Sequence, residues 1–277
     1  MLEFLIQNNV VCHAVEAMLF ASIGCAVLGV IITQIQVSSI GFTMAHAAFA
    51  GAAVGMFFSV NATVCAIIAG ICVAFLIGPL SDKARVSPDT ALGLLFGISM
   101  AVAIFFIAYM QTLGQGFSAM GLLFGDVISL YREEIYALAV ICIVAVLFVV
   151  VMYKEITGII FNKRIAESVG IRVTPVYYAM LFVIAITIAL CLPIIGGLLI
   201  YVWLVTPAAI ALQFCYRLST MFIVAPLVAA VVSVSGALVG LEFSLPVAPL
   251  TAVLFSLIFV VAVFASPKRK VTTIRKS

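Results

Sequence analysis

The chain has 277 residues, 66% of them hydrophobic and only 8% charged, with a formal net charge of +3 and a mean hydropathy of +1.41; a soluble domain carries about one quarter charged residues. That balance excludes a soluble fold and a nucleic-acid partner, and it favours apolar runs of about 20 residues, the length that crosses a hydrocarbon core. The expected architecture is an all-α integral membrane protein, a polytopic helix bundle of about nine transmembrane helices, with eight or ten as the alternatives.

The N-terminal stretch MLEFLIQNNVVCHAVEAMLF lacks the basic region and small-residue cleavage pattern of a signal peptide, so it reads as leading directly into the first span. Spans are expected near 11–33, 40–60, 62–80, 90–110, 134–153, 175–192, 195–214, 220–240 and 246–265. Two places set the uncertainty in the count: the LPIIGG break at 192–197 and the half-apolar stretch 117–131 could each be reentrant or interfacial. Residues 1–265 form one transmembrane domain in this reading, and 266–277 a basic cytoplasmic tail.

Within the first span His13 and Glu16 lie three apart on one helical face, with Cys12 adjacent. Ionisable groups at membrane depth are candidates for function. The second span holds the only other histidine, His46, inside SSIGFTMAHAAFAGAAVGMFF, a run of small and apolar residues. It is either a pathway residue or a neutral packing histidine. Gly51 and Gly55 have the small-x-x-x-small spacing that lets helix backbones approach closely. Pro207, inside a later apolar span, removes a backbone hydrogen bond and is expected to kink its helix. The seven cysteines are scattered through apolar segments without a C-x-x-C pair and read as small buried hydrophobes.

Short-loop Lys and Arg set orientation. Lys83 and Arg85, Lys154, Lys163, Arg164 and Arg172, then Arg217, then the tail put twelve of the thirteen basic residues on one side, leaving Arg132 opposite. That side is expected to be the cytoplasm. The other side carries Glu3, Asp126, Glu133, Glu134 and Glu242, a negative face suited to arriving cations or a basic docking surface.

No G-x-x-x-x-G-K-[ST] loop and no H-E-x-x-H pair occurs, so the chain has neither the usual nucleotide cradle nor a zinc-hydrolase pair. It is expected to be a transport subunit rather than an enzyme. The longest internal polar stretch, KEITGIIFNKRIAESVGIRVT at 154–174, carries Phe161, Ile165 and Val169 at intervals of four, with Gly170 as a helix stop. This is the pattern of a short helix along the cytoplasmic surface, serving either as a lever for a partner or as a connector.

That segment resembles the coupling loop of ATP-binding-cassette permeases, with Ala166, Glu167 and Gly170 at the positions that dock on the ATPase. More of the chain is similar to one branch, the permeases of the zinc, manganese and iron importers. SPDTALGLLFG at 87–97, LLFGDVISL at 122–130, IGGLLIYVWLVTPAAIA at 195–211 and LPVAP at 245–249 follow that family's order and spacing, over about 14–265. In that family the second span carries Gly-Asp-x-x-x-His-Ala, a carboxylate and an imidazole one helical turn apart. Gly41, His46 and Ala47 match it, but Phe42 stands where the carboxylate would be. His13 and Glu16 are the candidates to compensate.

The resemblance implies a permease, forming a homodimer in the cell (inner) membrane, that moves Zn, Mn or Fe by alternating access. It also implies two partners: a cytoplasmic ATPase that holds the ATP, this chain binding no cofactor of its own, and an extracytoplasmic substrate-binding protein. Phe42 leaves open a metal chelate or a small organic substrate on the same architecture. A secondary transporter would need midplane carboxylates and inverted repeats, and neither is evident in the sequence.

Overall fold

In the computed structural model, residues 9–35, 39–114, 125 and 130–268 are described. They form eleven helices: α1 (Asn9–Gln34), α2 (Ser39–Phe57), α3 (Ala62–Ala84), α4 (Pro88–Thr112), α5 (Arg132–Val151), α6 (Tyr153–Phe161), α7 (Lys163–Ser168), α8 (Val173–Ile195), α9 (Gly197–Phe214), α10 (Leu218–Glu242) and α11 (Val247–Ala265). Nine of them, all but α6 and α7, are long and apolar enough to cross a membrane. The expected count of nine is therefore met among the described residues. Most of the interfacial candidate 117–131, and the tail beyond Lys268, lie outside them.

Local chemistry fixes the starts. Asn61 accepts a hydrogen bond from the Val64 backbone N–H to open α3. Ser87 does the same from Thr90, with Pro88 at the first helical position of α4, where its missing N–H costs nothing. At the LPIIGG break, α8 runs on through Pro193 to Ile195, and Gly196 alone joins it to α9, at φ 85°. A side chain would be strained there. The break is thus a one-residue turn between two full spans, not a reentrant loop. Gly125 packs against it: a Cβ at that position would overlap the Ile194 carbonyl.

The bundle is layered around a hub. Over their most apolar windows α1 and α2 are each 72% buried, against 28–33% for α3, α4, α5, α10 and α11, so the first two helices form the interior and those five the rim. Helix α1 packs on α5, α9 and α10, while α2 packs on α3, α4 and α8. The seam between α2 and α3 depends on Gly51, where a Cβ would overlap the Cys65 carbonyl, and on Gly55, which abuts Ala62 and Cys65. The small-residue spacing in the sequence thus marks a true backbone approach. On the rim, large apolar side chains such as Phe105, Leu147, Ile223 and Val261 are exposed, as a surface meeting acyl chains requires.

Of the cysteines, Cys25, Cys142, Cys191 and Cys215 are buried, and Cys72 is exposed on α3. At the far end of the chain, the Lys268 ammonium donates to the Leu212 and Cys215 carbonyls, and Ser266 donates to Gln213. The residues following α11 therefore cap the C-terminus of α9, a place where a cation is favoured.

Candidate functional site

The candidate site is built on the hub. One turn of α2 places Phe42 and His46 four residues apart, on one face. The His46 Nδ1 lies 2.9 Å from the Phe42 carbonyl oxygen. A carbonyl only accepts, so Nδ1–H donates to it, and the lone pair of the neutral imidazole is left on Nε2. Helix α4 contributes Phe96, whose ring centroid is 4.6 Å from that of Phe42 and 4.8 Å from that of His46. Helix α9 contributes Tyr201, 5.1 Å from Phe42 in an edge arrangement. Three aromatic rings from three helices thus gather around one imidazole, at the offset and edge geometries such rings prefer. Thr43, beside them, donates to the Leu92 carbonyl and ties α2 to α4.

His46 lines a cavity of about 290 Å³ between α2 and α9, whose walls include Phe42, Phe49, Leu198, Tyr201 and Val202. Among the described residues that line it, the polar side chains are His46 and Tyr201. His13 and Glu16 line a different cavity, of about 430 Å³, between α1 and α5, together with Cys12, Arg132 and Tyr136. His13 and Glu16, the candidates to compensate for the missing carboxylate, thus do not line the cavity beside His46. Among the described residues no group of three or more His, Cys, Asp or Glu could hold a metal ion.

The surface segment differs from the single short helix expected. It is two helices, α6 and α7, separated at Asn162, whose extended backbone ends the first and whose side chain accepts from the Arg164 and Ile165 N–H groups to start the second. Phe161, Ile165 and Val169 are exposed, while Ile156 and Ile159 form the buried face of α6. Of the three candidate coupling residues, Glu167 and Gly170 are exposed, Gly170 at φ 92°. Ala166 is buried and packs toward Gly158. Pro207 sits buried inside α9, which stays helical through it, and its ring nitrogen leaves the Trp203 carbonyl without its helical donor.

Sequence reasoning did not single out Phe96 and Tyr201. Each lies inside a motif quoted for its family resemblance, and a search for aromatic residues within those motifs was the signal available.

Residues 7–266 match the ABC 3 transport family, and the chain belongs to it. It is a multi-pass membrane component of a transporter, not an enzyme. The manganese transport system membrane protein MntC of Halalkalibacterium halodurans is 26% identical over 261 residues, covering 94% of this chain and 89% of that protein. The chelated iron transport system membrane protein YfeD of Yersinia pestis is 26% identical over 250 residues, covering 90% and 83%. The fold is shared with PsaBC from Streptococcus pneumoniae, solved in complex with a Fab, at a TM-score of 0.86 and 20% identity over 99% of this chain and 98% of that one.

Proposed function

We propose that this chain is the permease subunit of an ATP-binding-cassette importer that moves a transition metal (Zn, Mn or Fe) across the cell membrane. The observation that carries this reading is the match, over nearly the whole chain, to permeases named for manganese and chelated-iron transport. The position of His46 in the interior supports it: an imidazole Nε2 is a good ligand for divalent first-row metals.

In this reading two copies pair around the pathway, an extracytoplasmic binding protein delivers the cargo, and a separate cytoplasmic ATPase supplies the energy. The exposed side chains of α6 and α7 meet that ATPase. ATP-driven movement of these short helices tilts the bundle, so that the cavity beside His46 faces first one side and then the other. The sorting of basic residues supports a cytoplasmic C-terminus.

The test is ATP-dependent uptake of radiolabelled metal into liposomes that hold the permease, its ATPase and its binding protein. Uptake that needs ATP and is lost in His46→Ala supports the reading. ATP hydrolysis stimulated by the binding protein, without uptake of metal in any form, overturns it.

A further inference from the structure

The cavity between α1 and α5 stands apart from His46, and its chemistry is graded along the helices. It measures about 430 Å³, within the range of small-molecule sites. Residues near the start of both helices line its mouth: His13 and Glu16 in the first two turns of α1, Arg132 at the start of α5 and Tyr136 one turn on. Phe20 and Ala139 line it deeper, about 10 Å further along each helix at 1.5 Å per residue. The polar end thus lies where the spans meet water, and the apolar end reaches into the hydrocarbon.

Two opposite charges share this cavity without meeting. Glu16 and Arg132 both line it, yet no ion pair joins them, which leaves room between them for a ligand that carries both signs. A simple anion here would face the Glu16 carboxylate and a simple cation the Arg132 guanidinium, whereas a zwitterion satisfies both. The Tyr136 side of the cavity also continues down α5. Tyr136, Val140, Ile143 and Leu147 are exposed at helical spacing on this rim helix, a stripe that faces acyl chains.

From this we propose that the cavity holds the headgroup of a zwitterionic phospholipid with a primary ammonium: its phosphate on Arg132 and His13, its ammonium on Glu16 and the Tyr136 phenol oxygen, and the start of its acyl chains over Phe20 and Ala139. The assignment follows donor and acceptor chemistry. Guanidinium and imidazole N–H groups donate to phosphate oxygens, while an ionised carboxylate only accepts and so suits an ammonium. Pockets between spans that carry fixed charge are where headgroups are recognised. The lipid fills the gap between a hub helix and a rim helix, so that a ligand as well as packing holds the start of α1. The proposal is independent of the cargo the chain carries.

The test is native mass spectrometry of the full-length chain, titrated in detergent with phosphatidylethanolamine, phosphatidylcholine or phosphatidylglycerol of matched acyl chains. Phosphatidylethanolamine is expected to bind at least about tenfold tighter than phosphatidylglycerol, and tighter than phosphatidylcholine, whose trimethylammonium has no N–H to donate. Glu16→Gln is expected to erase the preference over phosphatidylglycerol, and Glu16→Asp to retain it. Arg132→Gln is expected to weaken both of those lipids by about tenfold. Glu16 and Arg132 are exposed, so these changes do not disturb the core. A phosphatidylethanolamine with a diazirine high on its acyl chain is expected to label the peptides that hold Phe20 or Ala139.

Phosphatidylethanolamine binding no tighter than the other two lipids, a preference unchanged in Glu16→Gln, or labelling confined to other peptides would each overturn the proposal. Soluble glycerophosphoethanolamine competing as well as the lipid would overturn it too, and make the ligand a free phosphoamine. Tight binding of hydrated Mn(II) or Zn(II) in place of any lipid, lost in Glu16→Gln, would overturn it in favour of a cation site.

Discussion

At the scale of single residues, His46 and its neighbours divide the labour of the cavity. The Phe42 carbonyl holds the imidazole in one tautomer, and Phe96 buttresses both rings from α4. Phe96→Ala is expected to cost about 1–3 kcal/mol, below the range for a fully buried Phe because the ring is only partly covered. A lowered midpoint of thermal unfolding in detergent would register it. Asn162→Ala removes the acceptor for two backbone N–H groups and is expected to cost about 1 kcal/mol. That loss should be local, seen as faster amide exchange over 163–166 with little change in global stability. Much of the site was open to sequence reasoning: His46 by its isolation among small residues, and Phe42 by the carboxylate it replaces. Its companions were not. Positions 42, 96 and 201 belong to three helices, and only the folded bundle brings such distant rings together.

At the scale of elements, the spans were the most legible part of the chain, because a hydrocarbon core leaves a helix no alternative way to satisfy its backbone. One finer feature escaped and one was left open. Period-four spacing through Phe161, Ile165 and Val169 suggested one continuous helix, yet an Asn side chain competing for backbone donors divides it. At the LPIIGG motif the sequence placed a break between two spans, with a reentrant segment as the alternative, and the break is a single glycine at positive φ. Helix seams carry their own prediction. Gly51→Ala drives a methyl into the Cys65 carbonyl and is expected to cost about 1–3 kcal/mol by forcing α2 from α3, with faster reaction of Cys65 toward a membrane-permeant maleimide. Gly97→Ala on α4 meets open space and is expected to be neutral or stabilising by up to about 1 kcal/mol in the isolated chain. A clear loss in the assembled transporter would mean that another helix lies against that face.

For the whole molecule, a buried pair of helices surrounded by an apolar rim explains how a chain with so few charges stays ordered: among the described residues, charged side chains lie at or near helix ends and in connections. The sorting of charge carries an expectation about topology. A single cysteine placed at Ser277 in a cysteine-depleted chain is expected to react with an impermeant maleimide only from the cytoplasmic side, as the sorting of twelve basic residues requires. Labelling from outside would invert the assignment of every loop, and with it the face offered to an ATPase.

The hydrogen bond from His46 to Phe42 reaches back along its own helix, not across to a neighbour. The imidazole is therefore carried by α2 as a fixed fitting, its aim independent of what α4 or α9 do. The walls of the cavity, in contrast, are shared between α2 and α9. In the proposed transport cycle, any sliding of α9 past α2 would take Tyr201 away from a nitrogen that has not turned, so that the grip on a cargo would loosen one side at a time. Release then needs no change in the protonation or tautomer of His46, only a parting of its surroundings, and the rate of that parting would set how long a cargo dwells within the membrane.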